Sequence, residues 1–211
     1  MQGRTRDGSW VEPFDPASTA ETNDFCEASS WIYSWFVPHD VPGLVSLLGG
    51  DKATVAKLDQ FFVGGYFDVS NEPSFHIPFL YNRAGAPAKA QSRVRAVLSK
   101  DFTRDPGGLP GNDDAGATSA WYVLAAMGLY PMAPGDGRYD ITTPLFSRIT
   151  FHLNPAFSQG KTFIIEAPAA DAKNLYIKSA TLNGAPLTRP MLQHKEITAG
   201  GKLVLELGPT S

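Results

Sequence analysis

The hydrophobic pattern of this chain changes period at PMAPGDG, residues 131–137, and that change decides which fold classes are open to it. From Glu27 to about Met132 apolar residues recur at three- and four-residue spacing, the signature of one buried helix face. DKATVAKLDQFF (51–62) puts Val55, Leu58, Phe61 and Phe62 on one side, with Asp51 placed to cap the helix. PAKAQSRVRAVLSKDF (87–102) opens on a proline, whose missing N–H is harmless at a helix start, and turns Val94, Val97 and Leu98 inward. Residues 28–36 read as a short helix, Val41 opens one that Gly49-Gly50 stops, and 74–85 form another with Pro78 in its first turn or at a kink. Residues 116–128 form the last, ending at Gly128. Beyond the switch, YDIT, RITFHL, TFIIEA, NLYIKSATL and KLVLEL alternate or run apolar over short lengths, and LNGAPL (182–187) holds an Asn-Gly hairpin signal. The expected class is α+β: an irregular segment over 1–24, a helical part over 25–133, and an all-β module of five or six strands over 134–211.

The helical part carries its polar residues in a regular way. Loops at 37–40, 68–73 and 111–115 recur after every second helix, as in a toroid of helical hairpins with its functional loops at one end. Three clusters stand at these junctions: Glu27 followed by His39 and Asp40, Asn71-Glu72 with His76 one turn on, and Asn112-Asp113-Asp114. Carboxylates from separate loops suit acid–base work or oxygen ligation of a hard cation. The adjacent pair Asp113-Asp114 is the sharpest signal, because neighbouring carboxylates repel and need a proton, a cation or a polar partner. Gly111 and Gly116 flank it and are expected to supply backbone angles that a β-carbon forbids. The alternative for this pair is an acidic cap on a core helix, and for His39 and His76 a hydrogen-bonded structural role.

Composition removes other functions. A net charge of -3 and the absence of a basic run argue against nucleic-acid binding. No apolar run approaches the ~20 residues that cross a membrane, and MQGRTRDGSW has no signal-peptide core. There is no CxxC, HExxH, P-loop or GxGxxG. Cys26, the single cysteine, excludes an internal disulfide and is expected to be a small buried hydrophobe.

FCEASSWIYSWFVPHDVPGL, NEPSFHIPFLYN, LPGNDDAGATSAWYVLAAMGLYP and YDITTPLFSRITFHL…NLYIKSATLNG resemble, in order and spacing, the C-terminal half of glycoside hydrolase family 92. That family comprises calcium-dependent, inverting exo-α-mannosidases. The resemblance implies the last half of an (α/α)6 barrel followed by the β module, with an N-terminal β-rich domain that is missing from this chain and helps form the sugar pocket. It makes Glu27 the general acid, in a motif usually Glu-Gly-Asn and here Glu27-Ala28-Ser29. It makes Asp114 the general base and sets Asn112 where many members carry a second aspartate that orients the attacking water. Asn71, Glu72, His76 and Asp113 are implied to bind substrate, and Asn71 and Glu72 to lie by the Ca2+ ion. The implied activity is hydrolysis of terminal α-linked mannose, α-1,2 expected, from glycans outside the cytoplasm or in the periplasm, by a complete enzyme of which this fragment alone is inactive. An acid needs a partly desolvated position, for which Phe25, Trp31 and Trp35 are the candidates. The departures at Ala28, Ser29, Asn112 and Ala117 bear on linkage preference. The rivals are a non-catalytic carbohydrate-binding or scaffold module and a phosphorylase-like barrel, for which no phosphate-binding loop is present.

Overall fold

A computed structural model of the chain describes residues 1–19 and 24–211. Part of the expected 1–24 segment, residues 20–23, therefore lies outside the described residues. Residues 1–19 run without helix or strand, closed once by the bridge Arg4↔Trp10 and tied to the helices where Trp31 N–H donates to the Pro16 carbonyl at 3.1 Å.

Six helices follow: α1 (Ser30–Tyr33), α2 (Val41–Leu47), α3 (Asp51–Val63), α4 (Leu80–Arg83), α5 (Pro87–Lys100) and α6 (Ala117–Ala126). The faces read from spacing are the buried ones: Leu58 and Phe61 of α3, and Val94, Val97 and Leu98 of α5, joined by Ala90 and Gln91. The N-cap of α3 is Gly50 at φ 93°, so Asp51 sits in the first turn instead, where it favours the helix dipole. The helix expected over 74–85 is broken. Single 3₁₀ turns at Glu72–Ser74 and Ile77–Phe79 precede the four-residue α4, because Pro73 and Pro78 remove backbone donors an α-helix needs. The helical core is strongly aromatic: Trp35, Phe61, Phe79, Tyr81 and Trp121 are all buried, and Phe79 stacks on Tyr130 at 4.4 Å.

The β region holds two sheets. A three-stranded antiparallel sheet has the order β1-β2-β7, with β1 Leu129–Tyr130, β2 Arg138–Ile141 and β7 Met191–Gln193. The second runs β3-β4-β8-β5-β6, from β3 (Arg148–His152), β4 (Thr162–Glu166), β5 (Tyr176–Leu182), β6 (Ala185–Pro186) and β8 (Gly201–Gly208). Its only parallel pair among the described residues is β4 with β8. Alternation aims Phe163, Ile165, Leu203 and Leu205 into a second, mainly aliphatic core with Ile141 and Leu192. The LNG turn closes β5 onto β6, with Asn183 and Gly184 both at positive φ. β6 is the return strand of the hairpin that LNGAPL signals, whereas two short strands, β1 and β7, and a five-residue helix, α7 (His194–Thr198), were not expected from the sequence.

Polar contacts lock the helices to the sheets. Asp140, fully buried on β2, accepts Arg83 Nη2 at 2.8 Å and Nε at 3.1 Å, and Asn82 Nδ2 at 3.3 Å. Gln91 of α5 accepts the Ile177 N–H of β5 at 3.0 Å.

Candidate active site

A cleft of about 560 Å³ lies where three loops of the helical part meet. Glu27 from the loop before α1, Asp68, Ser70 and Asn71 from the loop after α3, and Asn112 and Asp114 from the loop before α6 all line it. Its floor is Ala28, Ile32 and Ser74, each buried. A hollow of about 420 Å³ between α5 and the β5–β6 hairpin has no carboxylate in its lining and offers no comparable chemistry.

The loops are knitted by two contacts that sequence spacing does not reveal. The Asn71 side-chain amide donates to the Glu27 backbone carbonyl at 3.0 Å and to its carboxylate at 3.3 Å, across 44 positions. Gly111 presses on Ser70 so closely that a β-carbon there would stand 2.7 Å from the Ser70 carbonyl oxygen. Gly111 is thus required for close approach; a left-handed angle occurs at Gly116 instead, at φ 93°.

The two carboxylates assigned by resemblance share an uncommon backbone state. Glu27 lies at φ 58° and Asp114 at φ 47°, in the left-handed region where a side chain crowds its own backbone. Ala115 follows at φ 57°. Residues held this way cluster where surrounding structure over-determines the backbone, and active sites are frequent among such places. Both side chains are exposed.

The Asp113-Asp114 pair resolves its repulsion by dividing. Asp113 turns toward α6, where its carboxylate accepts the Ser119 hydroxyl and the Ser119 N–H, each at 2.7 Å. These bonds, the hydroxyl's first, hold the Asp113 carboxyl below the ordinary aspartate range. Asp114 faces the cleft. Asp113 thus ties down the first turn of α6, as the capping reading of the pair expects, while Asp114 is the member that reaches the cleft. Asn112 lines the cleft, its backbone carbonyl pinned by the Thr118 hydroxyl at 3.0 Å.

The other residues fall differently. His76 is buried beneath the site, its Nε2 2.8 Å from the Trp35 carbonyl oxygen, and burial drives its pKa down to about 4. It is outside the cleft lining, as are Glu72 and Asp113. Phe25 stacks on Tyr33, Trp31 stacks on Tyr66, and Trp35 is buried in the helical core; none of the three lines the cleft beside Glu27. Cys26 is exposed, because the loop that turns Glu27 outward carries its neighbour with it. Asp68, Ser70 and Ser74 line the cleft without having been singled out; only the polar character of the 68–73 loop hinted at the first two.

Calcium takes about 6–8 oxygen ligands. Among the described residues no group of three or more Asp, Glu, His or Cys side chains is arranged to hold a metal ion. The Asn71 amide is engaged on both sides, its oxygen accepting the Glu72 N–H at 3.2 Å and its nitrogen held by Glu27.

Residues 1–209 match the glycosyl hydrolase family 92 catalytic domain. The chain belongs to glycosyl hydrolase family 92. A secreted glycosidase of uncharacterised activity from Arthroderma benhamiae is 38% identical over 99% of this chain and 28% of its own length. Two solved structures from Bacteroides thetaiotaomicron align over 100% of the family 92 chain. One is a family α-mannosidase, 32% identical with a TM-score of 0.89, of which the chain covers 28%. The other is an inverting family mannosidase, 35% identical with a TM-score of 0.87, of which it covers 31%. The chain thus spans under a third of these relatives' length. No helix among the described residues is long and apolar enough to cross a membrane.

Proposed function

We propose that this chain is the C-terminal portion of an exo-α-mannosidase that removes terminal α-linked mannose with inversion, α-1,2 linkages expected. The observation that carries the reading is that Glu27 and Asp114 line one cleft from loops far apart in sequence, both at positive φ. Family membership and the likeness to α-mannosidases supply the substrate class.

In this reading Glu27 donates its proton to the glycosidic oxygen as the bond to the anomeric carbon breaks. Asp114 takes a proton from a water attacking that carbon on the opposite face, and inversion follows from that opposite approach. The acid must deliver its proton along one line, and Asn71 holds Glu27 at both backbone and side chain toward that end. Asn112, beside Asp114, helps orient the water, and Asp113 keeps the loop in place through α6.

The helical part is the closing portion of an (α/α)6 barrel, and the upstream domain of the complete enzyme finishes the sugar pocket and encloses the exposed Glu27. Calcium belongs to that complete enzyme, with Asn71 and Glu72 the residues that this chain brings beside it. Its substrates are mannose-containing glycans outside the cytoplasm, in line with a relative described as secreted. Alone the chain is inactive.

The test uses the full-length enzyme. Glu27→Gln is expected to lose about 10²–10⁴-fold on a disaccharide, whose leaving group needs protonation, and far less on an aryl mannoside with an activated leaving group. Asp114→Asn should lose both alike. Equal loss on both substrates in Glu27→Gln would remove the acid role, and mannoside binding without turnover in the complete protein would favour a binding module.

A further inference from the structure

The geometry points to Ser74 as a substrate-positioning residue whose hydroxyl holds a hydroxyl group of the bound sugar on the cleft floor. Of the three buried floor residues, Ala28, Ile32 and Ser74, only Ser74 has a polar side chain, and it is 1% exposed. Its hydroxyl has no hydrogen-bond partner among the described residues. A buried hydroxyl left without a partner is destabilising, and alanine would fill the same space without that penalty.

Other hydroxyls in this chain's helices escape the problem by bonding back to a carbonyl one turn earlier. Ser34 donates to the Ser30 carbonyl at 2.7 Å, Thr54 to Gly50 at 2.9 Å and Ser92 to Lys89 at 3.1 Å. Ser74, at the end of its 3₁₀ turn, makes no such bond.

The turn that presents it is anchored on three sides. Asn71 ties it to Glu27, the Trp121 indole N–H donates to the Phe75 carbonyl at 2.9 Å, and His76 meets the Trp35 carbonyl at 2.8 Å. His76, expected to bind substrate, instead fixes the backbone two residues beyond Ser74. A hydroxyl held this firmly in the cleft that Glu27 and Asp114 also line can accept or donate one hydrogen bond to a ligand at little cost in ordering. The inference rests on the mannosidase reading and adds to it a contact to the sugar itself.

The experiment measures binding of methyl α-mannoside and each of its monodeoxy forms to the full-length enzyme as wild type, Ser74→Ala and Ser74→Cys. The expected result is an approximately tenfold weaker affinity of Ser74→Ala for the parent sugar, with partial recovery in Ser74→Cys. One deoxy form should bind wild type and Ser74→Ala equally, naming the hydroxyl that Ser74 contacts. Without ligand, Ser74→Ala should melt no lower than wild type. Unchanged affinity for every ligand would mean that Ser74 holds only a water and would overturn the inference. So would a uniform loss over all deoxy forms together with a lower melting temperature, which marks a packing role. A wild-type enzyme that binds no mannoside sinks the mannosidase reading and this inference together; binding that Ser74→Ala leaves intact sinks the inference alone.

Discussion

Asn183 in the β region and Glu27 in the helical region adopt nearly the same backbone angle, φ 52° and 58°, for unrelated reasons. Asn183 starts the two-residue turn between β5 and β6, where such angles match the twist of the strands, and Gly184 follows at φ 83°. Asparagine tolerates the conformation, and its side-chain oxygen accepts the Lys202 N–H at 2.7 Å. Glu27 has no hairpin to close, and glutamate gains nothing locally from this angle. It is held by Asn71, 44 positions away, and Asp114 is held by a loop wedged against Ser70. In the β region the unusual angle is the cheapest solution to a local problem. In the helical region it is imposed by tertiary contacts, and what it achieves is to bring two carboxylates to one cleft.

If tertiary anchors hold the site, disturbing them should affect the helical region far more than the sheets. His76 is the strongest lever. Its pKa of about 4 lies below the ordinary 6.5, so as pH falls the unfolded chain takes up the proton first. Its contribution is complete above pH 6.5 and is lost as the pH falls toward 4. At 1.36 kcal/mol per unit this is about 3 kcal/mol. His39, His152 and His194 are exposed, so no other histidine is buried in this way. Urea unfolding at pH 7 and pH 4 should show that loss in the wild type and a much flatter dependence in His76→Gln. Equal slopes would mean that His76 is not the anchor.

Gly111→Ala sharpens the comparison at the next level. The added carbon would meet the Ser70 carbonyl oxygen at 2.7 Å and the Ser70 Cβ at 2.9 Å, and a backbone atom cannot swing aside. The loops must separate, at about 1–3 kcal/mol of stability. Turnover in the full-length enzyme should fall up to about 100-fold, since small misplacements of catalytic groups are that costly. Gly116→Ala meets no atom within 4 Å, so its penalty is purely conformational, about 1–2 kcal/mol, at a φ of 93°. A Gly111→Ala variant with full activity would show that the contact with Ser70 is incidental.

These contacts mark where the sequence stopped being legible. The α3 and α5 faces could be read because Leu58 and Phe61, or Val94 and Val97, satisfy a local period that burial then rewards. The Asn-Gly turn could be read because its geometry depends on two residues. β7 could not, since its three residues become a strand only by pairing with β2, Leu192 opposite Tyr139. The same limit applies within the site. Glu27 and Asp114 stood out as carboxylates at loop–helix junctions and took their roles from family motifs, whereas Asp68 and Ser74 came to light only when the cleft was assembled. The role of Asp113 turned on which way a carboxylate rotates, and Ser119 decides that.

The smallest effect discriminates most finely between the two kinds of positive φ. Glycine adopts these angles without strain, so Glu27→Gly and Asp114→Gly each remove a local penalty of about 1–2 kcal/mol. Glycine also gives the unfolded chain more freedom, a loss of about 0.5–1 kcal/mol. The balance is a stability unchanged or raised by up to about 1.5 kcal/mol at Asp114 and by less at Glu27, which also loses the 3.3 Å bond from Asn71 to its carboxylate, with activity abolished in the full-length enzyme. Asn183→Gly should move stability the other way. It relieves little strain, because asparagine accepts the angle, and it deletes the bond from Lys202 that ties the turn to β8. Thermal melts of the three variants side by side measure the difference. If Glu27→Gly and Asn183→Gly were destabilised alike, the angle at Glu27 would be an ordinary feature of a well-made turn, and the backbone argument for the cleft would fall. A gain in stability at the two carboxylates, paired with loss of turnover, is what a backbone held for function rather than for folding requires.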